Sequence, residues 1–299
     1  MKVTIAICTF NRSFYLKKCI DALLPQLGDH KENLVLMIID NNSKDDTAEL
    51  IDHYINSGLR ISYYKELKQG LSNARNRAIK ECDTEYLGYL DDDAIPHDNY
   101  VDKLIEIIHA YQPDCFGGMY YPYYETKKPK WISDNFGKKT MLTKSFSKVD
   151  QGNLSGGNMY CKLKILLELN GFDPSRGMNG TKIGYAEEDE LQLRIRKAGY
   201  SIYFDPQLAM DHLVAPYKTK ISWHIKRAYH SNRNTFDTVY KKYTFLHTIK
   251  VIFRITFYKI PHLIKLCIKR PDYYFENFIL DIGTSYTRAI GLYFNRNKN

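Results

Sequence analysis

Two hydrophobic periods alternate along residues 1–90. KVTIAIC (2–8) is a compact apolar run that reads as a strand, followed by the loop TFNRS (9–13). FYLKKCIDALLPQL has helical spacing through Leu16, Ile20, Leu23 and Leu27, with Pro25 distorting or ending its last turn. NLVLMIID reads as a second strand that opens into the polar turn NNSKDDT, and Thr47 to Asn56 as a helix. LRISYYKE (59–66) is a third strand, Gly70 marks a turn before the helix holding ARNRAIKEC (74–82), and EYLGYL (85–90) is a fourth strand. Such alternation predicts an α/β fold: a parallel sheet with helices on its faces. Ligands of that fold gather at the carboxyl ends of the strands. Thr9 to Arg12, Asp40 to Ser43 and Asp91 to Asp93 all fall on predicted strand ends.

The pattern loosens after residue 95. A helix is predicted from Asn99 to Ala110, and CFGGMYYPYY reads as a strand with a glycine turn or bulge. Residues 125–152 are irregular and rich in Lys, Ser and Gly. SGGNMYC enters another strand, LKILLELNG forms a helix ending at Gly171, and GFDPSRGMNGTKIG is a turn-rich loop. AEEDELQLRIRKAG returns to helical spacing with an apolar stripe through Leu191, Ile195 and Ala198, and SIYFDPQLAMDH is short and extended. From residue 216 to 299 the pattern becomes basic, aromatic and mostly helical, a C-terminal extension to the part before it.

Composition adds constraints. The 299 residues are 44% hydrophobic, enough for a sizeable core, and the 25 tyrosines suit stacking and interface surfaces without naming a ligand. Net charge is +9, and its origin is local, because eight Lys/Arg and no acids lie between Lys241 and Arg270. The six cysteines have no CxxC spacing, which argues against zinc and for reduced core thiols, hence a cytosolic face. The start, MKVTIAICTF, reads as a first strand rather than a signal peptide. No uninterrupted apolar run reaches the roughly 18–20 residues of a membrane span.

YLGYLDDDAI carries the chemistry. Three carboxylates at a strand end repel one another and call for a positive partner. Alternation puts Asp91 and Asp93 on one side and Asp92 on the other, so two carboxylates can share a hard divalent ion. Magnesium or manganese suits such oxygen ligands better than zinc. A solvated turn or helix cap is the plainer reading. Asp40 can accept a hydrogen bond from a base or sugar, or close an Asx turn with Asn41. Arg75 pairs with a carboxylate in either a structural or a ligand-binding role. The run Glu187 to Glu190 can hold a general base or simply complement a helix amino end.

The stretches IAICTFNR, MIIDNNSKDDT, GLSNARNRAI, YLGYLDDDAIP, NLSGGNMY, LNGFDP and AEEDELQLRIRKAGY together resemble family 2 glycosyltransferases of the inverting, GT-A kind, over residues 1–212. The resemblance implies a Rossmann-like mixed central sheet with flanking helices. It implies a catalytic domain over 1–215, donor-binding in 1–95 and acceptor-side in 96–215. It further implies transfer of a sugar from a nucleotide diphosphate donor, UDP-linked in the usual case, to a hydroxyl of a glycan or lipid-linked oligosaccharide in surface polysaccharide synthesis. Thr9, Phe10, Asn11, Arg12, Asp40, Arg75, Asp91 and Asp92 fall to the donor, with Asp40 on the nucleobase. Asp93, Asp91 and His212 fall to Mn2+ or Mg2+. Asp189 is the expected base with Glu188 beside it. Trp131, Gly157, Asn158 and Glu188 fall to the acceptor.

YKKYTFLHTIKVIFRITFYKIPHLIKLCIKRP (240–271) reads as amphipathic surface helix interrupted at Pro261, suited to an anionic membrane surface. Packing on the catalytic domain, or a homodimer interface, would use the same residues. Localisation is then cytoplasmic, peripheral at the cytoplasmic face of the membrane. Competing readings are a nucleotidyltransferase, which also uses phosphate and divalent metal, and a non-enzymatic nucleic-acid or membrane-binding scaffold. The absence of a nucleic-acid-binding module argues against nucleic acid as a partner.

Overall fold

Burial is nearly continuous along the first strand, with Val3, Ile5 and Ile7 in one apolar cluster and Ala6 in a second. A strand buried on both faces belongs in the middle of a covered sheet. The computed structural model describes residues 1–30, 32–180, 186–233 and 242–294. The loop read as 171–184 leaves that range after Gly180, and the basic stretch enters it at Lys242.

The chain forms two compact units, the first made of Met1–Tyr123, 137–180 and Ala186–Leu213. Its strands are β1 (Val3–Thr9), β2 (Leu34–Asp40), β3 (Ile61–Lys65), β4 (Tyr86–Asp91), β5 (Ala94–Pro96), β6 (Cys115–Tyr123), β7 (Ser147–Lys148), β8 (Asn158–Lys162) and β9 (Ile202–Leu213). They make one mixed sheet in the order β3-β2-β1-β4-β8-β6-β9-β5, with β7 on β9. The first four are parallel, β8 is antiparallel to β4 and β6, and β9 runs parallel to β6. Helices α1 (Ser13–Leu23), α2 (Thr47–Asn56) and α4 (Tyr100–Tyr111) cover one face through Leu16, Ile51 and Leu104. Helices α3 (Leu71–Glu81), α5 (Leu163–Glu168) and α6 (Glu187–Lys197) cover the other through Ala74, Ile165 and Leu191.

The α/β class and the mixed sheet agree with the sequence reading. As expected, Pro25 distorts the end of the first helix: α1 stops at Leu23 and a short 3₁₀ turn, Leu24–Gln26, follows. Two details differ. Strand β5 is too short to leave a periodic signal. The segment read as short and extended is the twelve-residue strand β9, with an irregularity opposite Gly118 and Met119. A Cβ on Gly118 would lie 1.8 Å from the Leu208 carbonyl oxygen, so only glycine admits this approach.

The second unit joins 124–136 to the chain from Val214 onward. Its helices are α7 (Ile221–Arg233), α8 (Phe245–Arg254), α9 (Ile260–Lys269) and α10 (Phe275–Tyr293). A π turn, Ile255–Lys259, leads from α8 to α9 just before Pro261, whose missing N–H falls in the first turn of α9. Gly283 of α10 packs on Ile225 of α7, and the Tyr286 and Thr256 hydroxyls bond at 2.7 Å. Among the described residues no helix is long and apolar enough to cross a membrane.

Candidate functional site

Strand β4 ends at Asp91, and antiparallel pairing of β5 with β9 sets Ala94 opposite His212. The four residues Asp91–Ala94 and the β5–β9 pairing therefore bring two aspartates and one histidine together. The His212 Nε2 lies 3.4 Å from Asp91 Oδ2 and 3.2 Å from Asp93 Oδ1. One ligand atom from each of the three lies within 4.8 Å of the others, a donor set that fits one divalent cation. Asp92 is not part of this set, although it and Asp93 lie in the turn just past the end of β4. It accepts from Thr9 Oγ1 at 2.9 Å and from Arg12 Nη1 at 2.8 Å. Arg12 Nη2 donates to Asp93 Oδ2 at 2.7 Å, so one guanidinium fork spans two of the three acids.

The electrostatics follow. Burial opposes charge on His212, but Asp93 and Asp91 outweigh it and hold the imidazole up to about 9. Burial would raise Asp91, yet its contacts with His212 keep the carboxyl below its ordinary value. Asp92 is pushed up to about 7 by burial and by its acidic neighbours, against Arg12 and Thr9. The site's own cations thus balance its acids.

Tyr120 was not singled out from the sequence. Its hydroxyl donates to Asp91 Oδ2 at 2.9 Å, and its ring stacks on His212 at 4.9 Å. It braces two of the three members of the cluster. The period of β6 could have told its face, but not what that face meets.

Arg75 is buried and links the two acidic clusters. Its Nη1 lies 3.2 Å from Glu187 Oε1 and its Nη2 3.9 Å from Asp91 Oδ1, between the rings of Tyr89 and Phe172. Burial opposes its charge, and Glu187, Asp91 and Glu188 more than restore it. Gly156 and Gly157 back onto this bridge. A Cβ on Gly156 would reach Arg75 Nη1 at 2.7 Å, and one on Gly157 would reach Asp91 Cγ at 2.1 Å. These glycines make room for Arg75 and Asp91. Gly157→Ala is expected to cost about 2 kcal/mol of stability by overpacking. Because Asp91 must move, donor KM should rise as well; thermal unfolding and a donor titration measure the two effects.

Asp40, at the end of β2, is buried. Its Oδ1 accepts from the Ser43 amide at 2.7 Å, three residues on rather than the two of an Asx turn, and its Oδ2 accepts from the Tyr63 hydroxyl at 2.9 Å. Asn11, in the left-handed region with φ +53°, receives the Lys44 amide on its side-chain oxygen, and its own amide donates to Ser43 Oγ. Phe10 is half-buried in the same loop. Asn41, unassigned by sequence reasoning, ties the loops together through Glu66, Lys68, Gln69 and Gly70.

Helix α6 begins at Glu187, after Ala186 in the left-handed region at φ +75°. Asp189 is exposed and accepts from Asn153 Nδ2 at 2.8 Å. Half-buried Glu188 is pushed up to about 8, first by burial, then by Glu187 and Asp189, with Arg75 opposing. Burial pulls the Lys139 ammonium down while Asp189 and Glu188 support its charge.

Two further residues were expected at the acceptor, Asn158 and Trp131. Asn158 is fully buried; it accepts from the Tyr100 hydroxyl at 2.7 Å and donates to the Leu208 carbonyl at 3.0 Å. Its amide is engaged in holding the sheet together, which corrects its assignment to an acceptor hydroxyl. Trp131 belongs to the second unit, where its ring meets His224 edge-on and its carbonyl accepts from Asn277 Nδ2 at 2.8 Å.

The model of the family described as glycosyl transferase family 2 matches residues 4–167, more than half of the chain. The chain belongs to glycosyl transferase family 2. Among curated relatives of this family 2 chain, Glycosyltransferase GlyA of Streptococcus pneumoniae is 29% identical over 126 residues, 42% of this chain and 18% of that protein. The glucosyl-dolichyl phosphate glucuronosyltransferase of Haloferax volcanii is 22% identical over 237 residues, 77% of this chain and 74% of that one. Two solved structures share the fold at 15% identity. The mannosyltransferase PcManGT from Pyrobaculum calidifontis, in complex with GDP-Man and Mn2+, superposes with a TM-score of 0.56 over 97% of this chain and 73% of that one. S. aureus TarS 1–349 in complex with UDP-GlcNAc gives 0.57 over 98% and 89%. The GT-A architecture expected of a family 2 glycosyltransferase is therefore present.

Proposed function

We propose that this chain is an inverting, metal-dependent glycosyltransferase that moves a sugar from a nucleoside diphosphate, UDP in the leading case, to a hydroxyl of a glycan or lipid-linked acceptor. The observation that carries the reading is the Asp91–Asp93–His212 cluster at the strand ends of a family 2 chain. PcManGT with GDP-Man and Mn2+ and TarS with UDP-GlcNAc support the donor class and the cation. Family membership favours glycosyl over nucleotidyl transfer and over a scaffold role.

Asp91, Asp93 and His212 would hold Mn2+ or Mg2+, which supplies Lewis-acid stabilisation of the charge growing on the leaving diphosphate. Thr9, Phe10, Asn11 and Asp40 frame the nucleoside end of the donor. Arg12 and Arg75 supply fixed positive charge, with Asp92 orienting Arg12. Asp189 takes the acceptor proton. The acceptor oxygen then bonds to the anomeric carbon as the bond to the diphosphate breaks, which inverts that centre. Glu188 lies beside the base and orients the acceptor. Surface polysaccharide or lipid-linked oligosaccharide assembly, a place at the cytoplasmic face of an anionic membrane, and homodimerisation complete the proposal.

A panel of nucleotide sugars with Mn2+ or Mg2+, followed by isolation of the glycosylated acceptor, tests the reading. Release of nucleoside diphosphate with a glycosylated product supports it, and a nucleotidylated product refutes it.

Glu188 gives a separate check. A carboxyl raised to about 8 keeps its proton in the folded chain over a range where the unfolded chain has lost it. That stabilisation is complete below the ordinary glutamate value, about 4.5, and is lost as pH rises towards 8. Thermal unfolding from about pH 5 to about pH 8 should show the loss, and Glu188→Gln should flatten that part of the profile.

A further inference from the structure

A surface helix ordinarily turns its apolar residues inward and its charges outward. The run from α8 through the π turn to α9 does otherwise. Its inner face is closed by Thr248, Ile255 and Leu263, which are buried. Its outer face carries a second apolar row: Phe245, Ile249, Phe253, Phe257, Ile264 and Ile268. The first four recur every four residues, the spacing of one helix ridge, and the Phe253 and Phe257 rings lie 4.4 Å apart. Phe257 is 61% exposed and Ile268 79%. Lys250, Arg254, Lys265 and Lys269 are exposed on the same run, and no acid occurs between Lys241 and Arg270. Packing within the unit is already supplied by the inner face and by part-buried bonds such as Thr256 Oγ1 to the Tyr286 hydroxyl at 2.7 Å.

We infer that this outer ridge, about 37 Å long, is a docking surface for an anionic lipid bilayer. The helix lies along the interface with its aromatic and aliphatic row among the acyl boundary and its lysines and arginines on the headgroups. Charge complementarity selects this occupant, since a row of cations with no acids is matched by lipid phosphates and repels a second copy of itself. The inference deepens the membrane part of the proposed function and rests on that reading for its purpose, but not for its test.

The test is flotation of the full chain with vesicles of neutral phosphatidylcholine alone and with about 30% phosphatidylglycerol added. Binding is expected only to the anionic vesicles and should fall in about 0.5 M salt. Phe253→Ser with Phe257→Ser, and separately Lys250→Glu with Arg254→Glu, should each weaken it at least about tenfold. Free nucleoside phosphate that leaves vesicle binding unchanged separates a lipid site from a donor site. Binding of both variants at the wild-type level, or no binding by the wild type, overturns the inference. So does conversion of a dimer to a monomer by the ridge variants without lipid, which would make the ridge a self-association surface. Donor turnover without vesicle binding would sink the docking surface alone. Vesicle binding without turnover of any donor would sink the enzymatic reading alone.

Discussion

Asp189→Asn should lower kcat for sugar transfer about a thousandfold while leaving donor affinity within about twofold of wild type. The amide keeps the size of the carboxylate and can still receive the Asn153 Nδ2 hydrogen bond on its oxygen. It cannot accept a proton from an acceptor hydroxyl. Binding and chemistry therefore separate at this one position, which is exposed and is not one of the three residues of the Asp91–Asp93–His212 cluster. The assay is single-turnover transfer beside a donor titration. A folded variant that transfers at the wild-type rate would remove Asp189 as the base and pass the role to Glu188, whose raised value already lies near neutrality.

The second large effect belongs to Asp93. Asp93→Asn removes a buried negative charge on which both Arg12 and His212 converge. Metal-supported turnover is expected to fall at least about a hundredfold, with apparent metal affinity reduced to match. Excess Mn2+ should restore part of the rate, because Asp91 and His212 remain. Isothermal titration with Mn2+ reads the affinity, and circular dichroism checks that the variant is folded. Unchanged Mn2+ affinity would place the cation elsewhere. A simple loss of stability would not produce partial rescue by metal.

The sequence foretold more of the first sheet than of the site. β1, β2 and β4 are buried runs and α1, α2 and α3 have clear helical spacing, so hydrophobic period alone dictated them. The clustering of Asp91 with Asp93 was expected from strand alternation, but β4 stops at Asp91 and the turn after it places Asp93. Tyr120 was not expected, because the partner of a strand residue depends on which strands become neighbours. Gly157 had a legible need for space, but what filled that space was Asp91, far away in the chain.

By itself, then, the sequence determined the α/β class, the strand ends that carry acids, and the basic apolar character of residues 242–270, all of which are local properties of period and charge. Tertiary structure decided which acids meet which cations. It set His212 beside Asp93 through the β5–β9 pairing, put Arg75 between Asp91 and Glu187, and enclosed the Asn158 amide in the sheet. The physical reason is range. Period and propensity act over a few residues, whereas hydrogen bonds and buried charges act between whatever neighbours the folded sheet supplies.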